Sequence, residues 1–309
     1  TYSIGNRKTV QDAKFYMSEP IWVTAERQGI TAASFFWVGS EAPIKGIFPT
    51  YNKFYDGSVP FESRVDTVIS WLMYPEKKRP HFIMLYFSEP DYSGHVFGPE
   101  SIQVDSVVMD MDRLLGRLLE GIRSLPVSDQ VNIVIVSDHG MTGLNENKYV
   151  IIDEHLGDIE NYELDLVGPY TQVTAKSWWY NLFLSQKLKG MAHVNVYSRT
   201  KIPNRLHFNN RNTGDFLIVS DLGWNVITQK NYDENGGPSG GTHGYDPAEK
   251  DMHAIFYAMG PKVKSGVTIG TFENIHVYPL ICKLLEIEPY SDAPDAPEGR
   301  IEVLQNILK

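Results

Sequence analysis

Two apolar runs, His81-Phe-Ile-Met-Leu-Tyr-Phe87 and Val131-Asn-Ile-Val-Ile-Val136, constrain this chain more than any other feature. Each has the length and composition of a strand. An almost unbroken apolar run, rather than an alternating one, is the mark of a strand covered on both faces, as in a parallel sheet. Carboxylates and imidazoles follow both runs: Glu89-Pro-Asp91-Tyr-Ser-Gly-His95 after the first and Ser137-Asp138-His139-Gly140 after the second. In open α/β sheets ligands bind beyond the carboxyl ends of the strands. Two Asp/His pairs are therefore expected at the same edge of one sheet.

A third piece, Gly241-Thr-His243-Gly244, ends a glycine-rich stretch and adds one more imidazole. Taken singly, each piece has a plain structural reading. Asp-His can be a turn, Asp91 and His95 an Asx-turn and a loop histidine, and His243 a residue of a flexible loop. Taken together, Asp91, His95, Asp138, His139 and His243 form a mixed nitrogen and oxygen donor set. Such a set suits zinc better than magnesium or calcium, which prefer all-oxygen shells, and it is the kind of set that hydrolyses phosphate esters.

The rest of the chain is consistent with this frame. Glu62–Leu72 places Val65, Val68, Ile69 and Leu72 at helical spacing, and Ser101–Leu125 repeats Val104, Val107, Val108, Met111, Leu114, Leu115, Leu118 and Ile122 along one face. The second predicts a long amphipathic helix covering the sheet, stopped at Pro126. Met252–Ala258 reads as a strand and 274–286 as a further helix, with Pro279 near its start. Between about 150 and 240 the pattern changes. Asp215-Phe-Leu-Ile-Val-Ser220 and Trp224-Asn-Val-Ile-Thr228 predict short antiparallel strands separated by Gly, Asn and Asp. The tail beyond Pro289, with Pro294 and Pro297, predicts a surface strap ending in a short helix. The expectation is an α/β protein: residues 1–150 and 241–309 form the core, a largely parallel sheet flanked by helices, and 151–240 form a small inserted α+β subdomain.

Charge and cysteine content narrow the function. A formal net charge of −10 argues against a protein that coats nucleic acid. No apolar run approaches the roughly 20 residues of a membrane span. Cys282 is the single cysteine and lies in an apolar helical run, so it reads as a packing thiol. No Asn-x-Ser/Thr glycosylation sequon occurs.

At this point the chain resembles the nucleotide pyrophosphatase/phosphodiesterase (type I phosphodiesterase) family of the alkaline phosphatase superfamily. The resemblance is carried, in order, by Glu19-Pro-Ile-Trp-Val-Thr-Ala25, Ser34-Phe-Phe-Trp-Val-Gly-Ser40, Gly46-Ile-Phe-Pro49, Val59-Pro-Phe-Glu62, the Asp91/His95 motif, Ser137–Met141, Arg205-Leu-His-Phe208, Gly241–Gly244 and Thr271-Phe-Glu-Asn-Ile275. It implies an alkaline phosphatase-like core and hydrolysis of phosphodiester or pyrophosphate bonds of nucleotides at two zinc ions. Asp91, His95 and His243 would hold one zinc. Asp138 and His139 would hold the second, together with an earlier Asp. Tyr55 and Tyr86 stand where the family stacks a nucleotide base. The sparse cysteines and missing sequons suggest a bacterial, periplasmic or secreted member.

The chain departs from the family at its start. Thr1-Tyr-Ser-Ile-Gly-Asn resembles a point well inside the catalytic domain. The earlier Asp and the nucleophilic Thr, which the resemblance implies is phosphorylated during turnover, are not recognisable. Thr9, Thr24, Thr31 and Thr50 all lack its surroundings. The expectation is the larger, C-terminal piece of an enzyme, with a separate N-terminal fragment as a partner beside the small phosphodiester substrate, an incomplete second zinc site and impaired activity. A phosphomonoesterase or phosphonate hydrolase of the same superfamily, and a non-catalytic metal-containing binding domain, are the alternatives.

Overall fold

The computed structural model describes residues 2–292 and 296–309; Pro294 of the predicted strap falls outside them. The chain divides into two compact units. One comprises the residues through Phe87, Asp110–Ile135 and Tyr257–Lys309; the other comprises Ser88–Met109 and Val136–Phe256.

The first unit is built on a three-stranded parallel sheet with Ala32–Phe35 between Tyr51–Lys53 and Phe82–Leu85. Every residue of the central strand is buried, as the sequence pattern for a two-sided sheet requires. Successive side chains of a strand point to opposite faces, and the core divides accordingly. Ala33, Phe35, Ile83 and Leu85 pack with Val68, Trp71 and Leu72 of helix Phe61–Leu72 and with Ile122 of helix Ile102–Arg123. Ala32, Phe82 and Met84 pack instead with Trp22 and Val23 of helix Ile21–Arg27. The two helices on the first face approach closely because Gly121 has no side chain; a Cβ there would collide with Ile69.

Strands are shorter than the apolar runs that announce them. The first run is strand only over Phe82–Leu85, the second only over Ile133–Val136, and the predicted 252–258 strand is Phe256–Met259. Residues 133–136 pair with 256–259, and not with 82–85, among the described residues. The two Asp/His pairs therefore do not follow neighbouring strands of one hydrogen-bonded sheet, as sequence suggested. The predicted 274–286 helix is a 3-10 turn at Asn274–His276 followed by Val277–Leu285. Pro279 sits in the first turn, where its missing N–H has no intrahelical partner to lose. Cys282 is fully buried against Ala25 and Ile287, and burial pushes its thiol up to about 11, so it is an unreactive packing group. The chain end is pinned by Leu304 and Ile307, both buried, and by a backbone bond from Lys309 to Lys262.

The second unit carries a four-stranded antiparallel sheet in the order Tyr162–Asp165, Tyr170–Ala175, Phe216–Ser220, Val194–Ser198. Helix Trp178–Lys187 lies over it, with Leu184 joining Val173, Phe216 and Ile218 in the core. The other predicted strand, Asn225–Ile227, pairs in parallel with Tyr149–Ile151, which corrects the antiparallel expectation. Its partner lies on the far side of the whole sheet in sequence, so the connection is a long crossover and not a hairpin. A two-residue antiparallel ladder, Gly241 with Gly143 and Thr242 with Thr142, ties the glycine-rich stretch to the segment after His139.

Leu184 and Phe183 are adjacent on one helix but opposite in burial. Leu184→Ala is expected to lower the unfolding free energy by about 2–5 kcal/mol. Phe183→Ala, at an exposed position, should change it by less than about 0.5 kcal/mol. Urea titrations of the two variants measure the difference.

Candidate metal centre

Asp91 and His95 are not in a loop. They open and nearly close helix Asp91–Phe97, one turn apart, which puts both on the same helix face. His95 Nε2 lies 3.4 Å from Asp91 Oδ1. The other face of this turn is crowded. A Cβ on Gly94 would stand 2.5 Å from Met141 Sδ, so the helix and the segment after His139 meet only because residue 94 is glycine.

The remaining donors arrive from distant segments of the same unit. His243 Nε2 is 3.7 Å and His139 Nε2 3.8 Å from the same Asp91 oxygen, and His139 Nε2 is 3.5 Å from Asp138 Oδ1. One donor atom from each of Asp91, His95 and His243 lies within 4.8 Å of the others. The rings of His139 and His243 stack at 3.4 Å, 12° from parallel. The structure thus brings all five sequence-predicted ligands into one cluster, with the Asp138 carboxylate its most exposed member at 83%.

Backbone carbonyls fix two of the imidazoles. His95 Nδ1 is 2.9 Å from Gly241 O, and His139 Nδ1 is 2.8 Å from Gly140 O. A carbonyl can only accept, so Nδ1 donates in each ring, and Nε2, which holds the lone pair in the neutral imidazole, is the nitrogen turned toward Asp91. Asp91 Oδ1 itself is buried and has no hydrogen-bond donor. Three imidazole nitrogens facing a donorless carboxylate oxygen is an arrangement that a cation completes and that water or protein donors do not. The donor set therefore fits a metal ion.

Gly240 makes the approach of His243 possible. Its φ of +76° is in the left-handed region, and a Cβ there would run into the carbonyl of His95. Three residues beyond His243, Asp246 accepts the Ala248 N–H at 2.9 Å and so closes a turn around Pro247. It also takes a two-pronged ion pair from Arg205. Sequence reasoning missed this pair; its only signal was the Arg205–Phe208 motif. Arg205 holds the Asp246 carboxyl below the usual carboxylate range.

Tyr55 and Tyr86 belong to the first unit, where their rings meet edge to face at 6.3 Å. Phe36 touches Tyr55 at 5.3 Å, and the fully buried Arg64 lies 4.9 Å from the Phe36 ring while donating to Tyr86 O at 3.0 Å. Two early threonines are committed elsewhere: Thr24 donates to Glu19, and Thr9 to the carbonyls of Ser3 and Asn6.

Burial lowers the pKa of His243 below its ordinary 6.5, with His139 adding to the shift and Asp91 opposing it. A histidine depressed in the folded state costs nothing while both states are neutral. As pH falls below about 6.5 the unfolded chain takes the proton first, and stability declines until the folded value is passed. In the metal-free protein the His243 ring is accordingly expected to titrate below 6.5 by NMR, and His243→Asn should flatten that part of the stability profile.

Comparison with known proteins follows the same lines. Residues 1–246 match the model of the type I phosphodiesterase / nucleotide pyrophosphatase family, a span that includes every residue of the cluster. Human ectonucleotide pyrophosphatase/phosphodiesterase family member 1 is 37% identical over 307 residues, 96% of this chain and 32% of that protein. Venom phosphodiesterase of Naja atra is 37% identical over 308 residues, 97% of this chain and 36% of the relative. The chain thus spans about a third of the length of these relatives. Murine ectonucleotide pyrophosphatase / phosphodiesterase 5, solved as an inactive threonine-to-alanine variant in complex with AMP, superposes with a TM-score of 0.89 at 31% identity, covering 98% of this chain and 78% of that one. With a matched family model over most of its length, and the motif residues gathered in one cluster, the chain belongs to the type I phosphodiesterase / nucleotide pyrophosphatase family.

Proposed function

We propose that this chain carries the metal centre of a zinc-dependent hydrolase of phosphodiester or pyrophosphate bonds, acting on nucleotides. The observation that carries the reading is the buried, donorless Oδ1 of Asp91 facing three imidazole nitrogens. Asp91, His95 and His243 are assigned to one zinc, and Asp138 and His139 to a second. Zinc bound there supplies the positive charge that polarises a phosphoryl oxygen and the attacking group. The chain's own contribution is orientation and protonation state. Gly241 O and Gly140 O take the Nδ1–H of two rings and turn their Nε2 toward the cluster, and burial lowers the pKa of His243, which favours the neutral form in which imidazole binds metal.

The nucleotide part of the reading rests on the aromatic pair and on the relatives. Tyr55 and Tyr86 are assigned to the base, in keeping with the AMP bound by the murine neighbour. The phospho-threonine step implied by the resemblance is kept. Thr9 and Thr24, whose hydroxyls are committed, are not its nucleophile. Relatives named as ecto- and venom enzymes favour a protein acting outside the cytoplasm. Among the described residues no helix is long and apolar enough to cross a membrane.

Two measurements that do not depend on turnover test this. Calorimetric titration should find zinc bound by the chain, and Asp91→Ala should weaken the tightest site by at least about a hundredfold, since it removes the oxygen common to all three imidazoles. Tight zinc binding that survives the substitution would contradict the assignment. With zinc present, Tyr86→Ala should weaken AMP by about 1–3 kcal/mol, the usual worth of a stacked base, and leave inorganic phosphate unchanged. Equal losses on both ligands point to a structural role for Tyr86.

A further inference from the structure

Helix Trp178–Lys187 has an outer face that a water-exposed helix should not have. Its inner side is conventional: Leu184 and Leu188 are buried in the core of the antiparallel sheet. On the opposite side Trp178 and Leu182, and Trp179 and Phe183, form two i,i+4 rows. These four side chains are 63%, 60%, 59% and 59% exposed. Gln186 is the polar residue that shares this side with them. Apolar residues in two adjoining helical rows are ordinarily buried, and a contiguous apolar patch left exposed marks an interaction site.

Charge identifies the occupant. The chain carries a net −10, yet no Asp or Glu occurs between Asp165 and Asp215, whereas seven Lys and Arg do. Lys176 stands just before the helix and Lys189 just after it, both exposed. Lys176 reaches the Glu160 carbonyl at 2.8 Å, an exposed hydrogen bond that holds its ammonium beside the helix start. An aromatic and aliphatic face flanked by cations, inside an acid-free stretch of an acidic protein, is the composition that settles into the headgroup boundary of an anionic bilayer.

The competing occupants fit less well. A second copy of this chain would bring the same basic stretch against itself in a two-fold contact. A single-stranded nucleic acid needs free ring faces on which to stack, but Trp178 and Trp179 stack on each other at 4.0 Å, and Leu182 has no ring.

We propose that the outer face of helix Trp178–Lys187 docks this protein onto anionic phospholipid surfaces, with Trp178, Trp179, Leu182 and Phe183 entering the headgroup region and Lys176 and Lys189 meeting its negative charge. This stands independently of the metal centre.

The test is co-sedimentation of the full chain with phosphatidylcholine vesicles, with and without phosphatidylserine. Binding should require phosphatidylserine. A Trp178→Ala/Trp179→Ala/Phe183→Ala variant should bind at least about tenfold more weakly, and Lys176→Gln/Lys189→Gln should abolish the preference for the anionic lipid. Brominated phospholipids should quench the tryptophan emission of the unsubstituted protein, a readout that stands if the triple variant fails to fold. Absence of vesicle binding overturns the proposal. So does binding that is equal on both lipids. A concentration-dependent dimer lost in the triple variant would assign the face to a second copy, and tight binding of oligo-dT in place of vesicles would assign it to single strands; either result also overturns the proposal.

Discussion

One oxygen atom organises the second unit. Asp91 Oδ1 is out of water, lacks a hydrogen-bond donor, and stands between 3.4 and 3.8 Å from three imidazole nitrogens. In the absence of a cation this is an unfavourable arrangement. A buried polar acceptor without a donor costs on the order of 1–3 kcal/mol. Burial, with the neighbouring His139 adding to it, depresses the pKa of His243 as well. A fold does not hold such a cluster together by the attraction of its members. It holds it through the backbone: the ladder of Gly241 and Thr242 on Thr142 and Gly143, the carbonyls that anchor His95 and His139, and two glycines that permit approaches any side chain would block. The strain sits at the function, and the scaffold around it offsets the cost.

Arg205 and Asp246 extend that scaffold. The pair is a fork-to-carboxylate contact between the connection that joins strands Val194–Ser198 and Phe216–Ser220 and the turn that follows His243. Such a contact fixes direction as well as distance. Asp246 also closes its own turn onto Ala248, so the residue beyond the ligand segment is held from two sides. Arg64 has a similar place in the first unit. Its charge is buried and is met by the carbonyls of Val59 and Tyr86 and the rings of Phe36 and Phe61. Burial lowers its pKa, as the cost of holding a cation out of water requires. Its guanidinium binds the Tyr86 backbone, and through Phe36 it reaches the Tyr55 ring, so the aromatic pair rests on a rigid base.

How much of this was legible in sequence depended on the range of the signal. Buried strands and amphipathic helices announce themselves in a few residues, so Ala33, Phe35, Val68 and Ile122 fall where periodicity places them. The Asp/His cluster was legible because Asp and His are chemically distinctive and recur in three short pieces. What did not show was how the pieces meet. Sequence placed the Asp/His pairs at one sheet edge; in the structure the strands before them pair with different partners, and the pairs converge through the second unit's own ladder and helix. Asp91–Phe97 was illegible as a helix because Tyr92-Ser-Gly-His95 has weak helical preference, and it is held by packing against residues 141 and 241 instead. The parallel pairing of Asn225–Ile227 with Tyr149–Ile151 was hidden for the same reason: local pattern marks a strand but carries nothing about a partner across a long crossover.

The outer face of helix Trp178–Lys187 reverses the usual relation between pattern and burial. Periodicity alone takes Trp178, Trp179, Leu182 and Phe183 for core, because apolar residues at helical spacing normally are. The inner side of the helix already fills the space against the sheet with Leu184 and Leu188, so the aromatic rows are surplus to folding. Surface of that kind is maintained against its tendency to aggregate only if something covers it. The Asp/His cluster and this face are then two instances of one rule. In each, the fold leaves an interaction incomplete inside the protein, a donorless oxygen in one and unburied rings in the other, and the missing partner is defined by what would complete it.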